Sequence, residues 1–177
     1  GSARVFVQHA AGLGYFVPLA YRQKMEQIPG VLAASPQIWF GGTYRDQRPQ
    51  NVFGQLSTDP EVWRAINDDY EIPASQMAAW RSQRDSFIAG RQLIERFGWK
   101  LGDRIQLQGS YIAMNLDLVL AGVYRGPDES NIFFHNKYLE NGWLSQRGET
   151  GTYILRVGKP PDVPRVTQAV DAMFENS

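Results

Sequence analysis

Few side chains in this 177-residue chain are of types that do chemistry, and they are thinly spread. There are two histidines, His9 in "FVQHAAG" and His135 in "IFFHNKYL". A nucleophilic triad needs a histidine held between a hydroxyl or thiol and a carboxylate, and a catalytic zinc needs several converging ligands. Neither stretch supplies such company, so both histidines read as structural or surface residues. "GLGYF", residues 12–16, has two glycines of a dinucleotide loop but lacks the third and the helix that should follow, so it reads as a turn. In "NDDYE", Asp68, Asp69 and Glu71 stand close together. Calcium would need alternating oxygen ligands around a glycine turn with a distant glutamate, and the expectation here is a solvated acidic turn. Arg81, Arg84, Arg91, Arg96, Lys100 and Arg104 form a basic run that Asp85, Glu95 and Asp103 interrupt, which suits a charged helix face better than a phosphate site.

The aromatic stretch "WFGGTY" offers more. Trp39 and Phe40 precede Gly41-Gly42, and Tyr44 follows, so large apolar groups adjoin pliable backbone. One reading is core filling on the inner face of a strand. The other is an exposed patch, formed by Trp39, Phe40 and Tyr44, for a partner subunit or an apolar substrate. No nucleophile comes with a base and no carboxylate pair falls on facing elements. The expectation is therefore no catalytic residue, no metal site and no cofactor in this domain.

The elements that would position these groups follow from periodicity. "ARVFVQ" alternates as a strand. Val17, Tyr21, Met25 and Ile28 recur at helical spacing, with Pro18 near the start and Pro29-Gly30 as the stop. "VLAASPQIWFGGTYRD" resumes as strand, which makes the first fifty residues a β-α-β unit. "STDPEVWRAI" predicts a helix capped by Ser57 or Thr58, and "IPASQMAAWRSQ" a second. "FIAGRQLIERFGWKLGDRIQL", residues 87–107, packs a strand, a helix burying Leu93, Ile94 and Phe97, a left-handed stop at Gly98 and a new strand. "NLDLVLAGVYRG" and "NIFFHNKYLENGW" predict further strand and a helical turn. "TGTYILRVG" is a closing strand, and Val163, Val166, Val170, Met173 and Phe174 share one face of a closing helix. If the last strand lay parallel to the first, both chain ends would emerge together, as in a domain inserted between two membrane helices.

Bulk composition narrows the class. Hydrophobic residues are 43% and charged residues 20%, enough for a sizeable core. The formal net charge of 0 argues against nucleic acid as a partner, because phosphate binding favours a basic excess. There is no cysteine, hence no disulfide and no thiolate ligand. No apolar stretch approaches the roughly 20 residues of a membrane span. Gly1-Ser2 reads as a cloning scar, which implies a longer natural protein.

Taken in order, "RVFVQ", "YRQKMEQIPGVLAASPQIWFGGTYRD", "AGRQLIERFGWKLGDRIQL", "LDLVLAGVYRG" and "AVDAMFENS" resemble the MacB-like periplasmic core domain of MacB/FtsX-type ABC transporter permeases. The most specific pieces are "IPGV", residues 28–31, and the spaced set Gly90, Leu93, Gly98, Gly102 and Asp103. The matching residues are scaffold signatures and carry no catalytic role.

The resemblance implies an α+β, two-lobed domain on the periplasmic side of a bacterial inner membrane. One lobe would comprise residues 3–56 with 148–177, and an inserted mixed α/β lobe residues 57–147. The implied partners are a second permease copy and a cytoplasmic ABC ATPase, reached through the membrane helices. A periplasmic adaptor or an apolar, lipidic or peptide substrate would meet the outer surface. ATP hydrolysis would belong to that separate ATPase, with this domain relaying motion as a non-enzyme. The isolated fragment is expected to be monomeric or weakly dimeric. The alternative is a free extracytoplasmic module binding carbohydrate or peptide through Trp39, Trp99 and Trp143.

Overall fold

Side chains alternate across an extended strand, so Val5 and Val7 of β1 (Ala3–Val7) turn one way and Phe6 the other. In the computed structural model, which describes residues 2–7, 17–18, 20–140, 149–150 and 152–175, β1 pairs antiparallel with β11 (Tyr153–Val157). On its far side β11 pairs antiparallel with β3 (Val31–Pro36), giving the order β1-β11-β3. The helix α1 (Tyr21–Glu26) links the two outer strands. They are thus parallel to each other, a β-α-β unit split by the returning last strand. α6 (Val163–Glu175) then covers the same face as α1. Val166 and Val170 pack there with Val7, Met25, Tyr153 and Leu155, and Phe174 meets Tyr21 edge-on at 5.1 Å. A short ribbon, β2 (Val17–Pro18) with β10 (Glu149–Thr150), leads into this lobe, so Pro18 lies in a strand and α1 starts later than its periodicity predicts.

The expected parallel pairing of first and last strands does not form. The chain leaves this sheet at the end of β3 and re-enters beside that point, since Gln37 N–H donates to the Thr152 carbonyl at 2.9 Å. A strand returning next to its exit must run the opposite way. The start of β1 lies beside Val157, whereas α6 ends near Tyr21, so the two are not side by side.

The second lobe is a six-stranded sheet in the order β4 (Ile38–Trp39), β5 (Gly54–Thr58), β9 (Asn131–His135), β6 (Ser86–Gly90), β8 (Asn115–Tyr124), β7 (Arg104–Gln108). The β5–β9 and β6–β8 pairs are parallel and the rest antiparallel. Beyond β4 the chain crosses to the far edge, where Thr43 and Gln108 exchange backbone hydrogen bonds of 2.8 and 2.9 Å. That bridge ties the two edges of the sheet into a closed wall, which protects strand edges from foreign pairing. Inside lie Ile38, Phe40, Phe87, Leu107, Leu118 and Phe134. Outside, α2 (Trp63–Ile66) and α3 (Ala74–Ser82) bring Trp63, Trp80 and Met77 onto Ile88, Tyr124 and Phe133.

The lobe boundary therefore differs from expectation. A cut between residues 56 and 57 would fall inside β5, whereas strand pairing places residues 38–58 in the second lobe. The reason is that "VLAASPQIWF" is extended throughout but changes sheets at Pro36-Gln37. Ser57 and Thr58, expected as helix caps, are buried strand residues. The local turn is made by Asp59, whose carboxylate accepts the Glu61 N–H at 3.0 Å.

The 87–107 unit forms as its pattern requires. β6 is wholly buried, α4 (Arg91–Phe97) buries Leu93, and Gly98 closes it at φ 70° with its N–H on Ile94. A Cβ at that left-handed angle would be strained. At Gly90 the demand is space, because a Cβ there would stand 2.1 Å from the Glu129 carbonyl oxygen.

Candidate functional site

The acidic turn is solvent-exposed, as its residue types predict, and its carboxylates at the same time reach the other lobe. It is one half of the junction between the lobes. Asp69 accepts both terminal nitrogens of Arg4 from β1, at 2.5 and 2.9 Å, a bidentate geometry favoured by the planar guanidinium. Asp68 accepts from Arg156 of β11 and from the Ser2 hydroxyl. A third pair joins Arg22 of α1 to Asp59, at 2.6 Å, while the Arg22 Nε–H donates to the Ala34 carbonyl at 3.0 Å. In each pair the arginine stands on the split β-α-β lobe and the aspartate on the closed-sheet lobe. The hydrogen bond from Arg4 holds the Asp69 carboxyl below the usual carboxylate range, and raises Arg4 in turn.

Polar contacts continue at the two strand crossings. Ser35 accepts the Asp59 N–H at 2.9 Å and lies 3.0 Å from the Thr58 hydroxyl, and the Thr152 hydroxyl donates to the Gln37 carbonyl. The apolar part of the junction is small: Ala33, Ile66 and Ile154, with Val62 beside them. Arg156 is the most enclosed charge, with 7% of its side chain exposed against 50% for Asp68, and its Nε finds no partner among the described residues.

The aromatic trio separates. Trp39 is 62% exposed on the edge strand β4, but Phe40 and Tyr44 are buried. Alternation along the strand explains this: Ile38 and Phe40 turn into the closed sheet and Trp39 out. The Tyr44 hydroxyl accepts from Trp99 Nε1 at 3.0 Å, and its ring meets Phe53, Phe97 and Trp99 edge-on. Of the three, only Trp39 can meet a partner directly. Trp99 is also buried, while His9, the "GLGYF" turn and Trp143 lie outside the described residues.

His135 is enclosed at the end of β9, with Nε2 2.6 Å from the Trp80 carbonyl, so that nitrogen carries the proton. Burial keeps this imidazole less basic than usual. The basic run is dispersed: Arg104 pairs with Asp85 and Asp117 at 2.9 Å each, Arg91 with Glu129 at 3.2 Å, and Arg96 donates to the Val52 carbonyl. Among the described residues no three His, Asp or Glu side chains converge as metal ligands, and no helix is long and apolar enough to cross a membrane.

No family model and no curated protein matches the chain. Solved structures do. The extracellular domain of the noncanonic ABC-type transporter YknZ from Gram-positive bacteria superposes with a TM-score of 0.66 at 9% identity, over 98% of this chain and 91% of that one. The periplasmic region of MacB from Actinobacillus actinomycetemcomitans gives 0.66 at 7% identity, over 97% and 84%. The fold is that of an ABC permease's extracytoplasmic domain. A Porphyromonas gingivalis domain, from a protein described as a permease, adds a TM-score of 0.55 at 15% identity over 99% and 82%. The permease-domain fold thus spans both lobes. Sequence reasoning missed the three-pair junction, because Arg4, Arg22 and Arg156 are far from Asp69, Asp59 and Asp68 along the chain and nothing local marks them as partners.

Proposed function

We propose that the chain is the extracytoplasmic domain of a MacB-type ABC transporter permease and that it relays ATP-driven movement to a substrate or partner outside the cytoplasmic membrane. The observation that carries this reading is the fold shared with the YknZ extracellular domain and the MacB periplasmic region, which covers 98% and 97% of this chain and so extends across both lobes. In this reading the energy source is a separate cytoplasmic ATPase, coupled through the membrane part of a permease dimer. The side chains here do mechanical work: two packed lobes hold their shape, and a charged junction transmits or absorbs displacement. Trp39 offers an exposed ring to an adaptor, a second copy or an apolar or peptidic cargo.

The test begins with the intact open reading frame. Apolar segments of about 20 residues should flank this domain, one before it and three after. Expressed in a bacterial host, the domain should be cleaved by protease added to spheroplasts, and an ATPase encoded alongside should co-purify with it. A reading frame without lipid-spanning segments, or a domain shielded from external protease until lysis, would overturn the proposal.

A further inference from the structure

The junction differs in kind from the interiors it joins. Its contacts are three arginine–aspartate pairs, a few hydroxyl hydrogen bonds and one small apolar cluster. Interfaces of this polar character between lobes of one chain ordinarily permit relative motion. The chain leaves the split β-α-β lobe at Gln37, and Thr152, on the returning segment just ahead of β11, lies beside that exit and is hydrogen-bonded to it. Two adjacent extended segments joined side by side make a hinge of few dihedral angles, flanked by packed bodies that do not deform. The charged pairs come from three different elements of the split lobe: Arg4 from the edge strand, Arg156 from the central strand, Arg22 from the helix. All of them bind acids on a single stretch, residues 59–69, that carries α2.

We propose that the Arg4–Asp69, Arg22–Asp59 and Arg156–Asp68 pairs form a latch, and that breaking them lets the two lobes swing about Gln37 and Thr152 as rigid bodies. The latch sets which of two lobe arrangements predominates. Its closed form is the one described here. The inference rests on contacts within this chain and holds whether or not the domain belongs to a transporter.

The chain lacks cysteine, so a pair of engineered thiols is uniquely addressable. Nitroxides at Gln92→Cys on α4 and Gln168→Cys on α6, both exposed helical positions, report the distance between lobes by pulsed electron spin resonance. The parent should give a single narrow distribution. Replacing Asp59, Asp68 and Asp69 together by asparagine keeps volume and removes the latch charge, and should add a second, longer population. Asp85→Asn, which breaks an ion pair inside the closed-sheet lobe, should leave the distribution unchanged. A triple variant that stays folded and keeps the parent's single distance would overturn the latch, as would equal broadening by Asp85→Asn. Asp69→Asn alone loses only a half-exposed pair and tests the same claim if the triple variant does not fold. Partial broadening is expected, and a distribution identical to the parent's would again contradict the proposal.

Discussion

The interior of the closed sheet and the seam between the lobes are about equally hidden from solvent at their centres, yet they are built on opposite principles. Inside the sheet, Phe40, Phe87, Leu107, Leu118 and Phe134 meet with no charge among them, and Phe40 and Phe134 pack edge-to-face with centroids 6.1 Å apart. At the seam the enclosed group is a guanidinium, and the surrounding contacts are directional. Apolar packing tolerates no gap and has no alternative arrangement of similar energy, whereas an ion pair opened to water regains most of its solvation. The first region fixes shape. The second allows shape to change.

Substitutions sharpen this contrast in order of expected size. Phe40→Ala should cost the most, about 3–5 kcal/mol of unfolding free energy by urea titration, because a fully buried ring leaves a cavity. A loss below about 1 kcal/mol would mean that the sheet interior is loosely packed. Asp68→Asn comes next, at roughly 2–3 kcal/mol, since it strands the enclosed Arg156 charge, with the value held down by the exposure of Asp68 itself. Replacing Arg156 by methionine in the same background should recover much of that loss, because the stranded charge goes with it.

Much of this contrast was legible in the sequence on the apolar side and little of it on the charged side. Val166, Val170, Leu93 and Leu118 declare their faces by period, and Gly98 marks a left-handed stop because few other residues fit there. The sheet change at Pro36-Gln37 leaves no such trace, because an extended chain looks the same whichever sheet it joins. That is why the lobe boundary was expected some twenty residues too late. The ion pairs escaped for a related reason. Apolar periodicity is local, but Arg156 and Asp68 are 88 residues apart and either could have met water instead. For Trp39, Phe40 and Tyr44 the residue types suit core filling or an exposed patch alike, and only the strand's alternation separates the exposed ring from the buried ones.

Asp69→Asn should have a smaller effect, about 0.5–1 kcal/mol, because both partners of the Arg4 pair are partly exposed. Its pH dependence gives a sharper criterion. The folded-state carboxyl is held below its unfolded value, so the pair's contribution is present above about pH 4 and lost as pH falls through the folded-state pKa. The gap between parent and variant should be full at neutral pH and close in acid, and a gap independent of pH would assign the effect to packing. Trp39→Ala should be the mildest change, within about 0.5 kcal/mol, as expected of an exposed edge residue. A large loss there would mean that its ring supports the fold.

Native-state hydrogen exchange reads both regions in one experiment. The amides of β6, β8 and β9 should exchange only through global unfolding, while the Gln37 and Asp59 amides at the seam exchange through a lower-energy opening that Asp59→Asn, Asp68→Asn and Asp69→Asn together make more frequent. If the seam amides instead exchange with the same free energy as β6, and the three substitutions leave them there, the two lobes are a single rigid block and the account of a charge-held, movable seam fails.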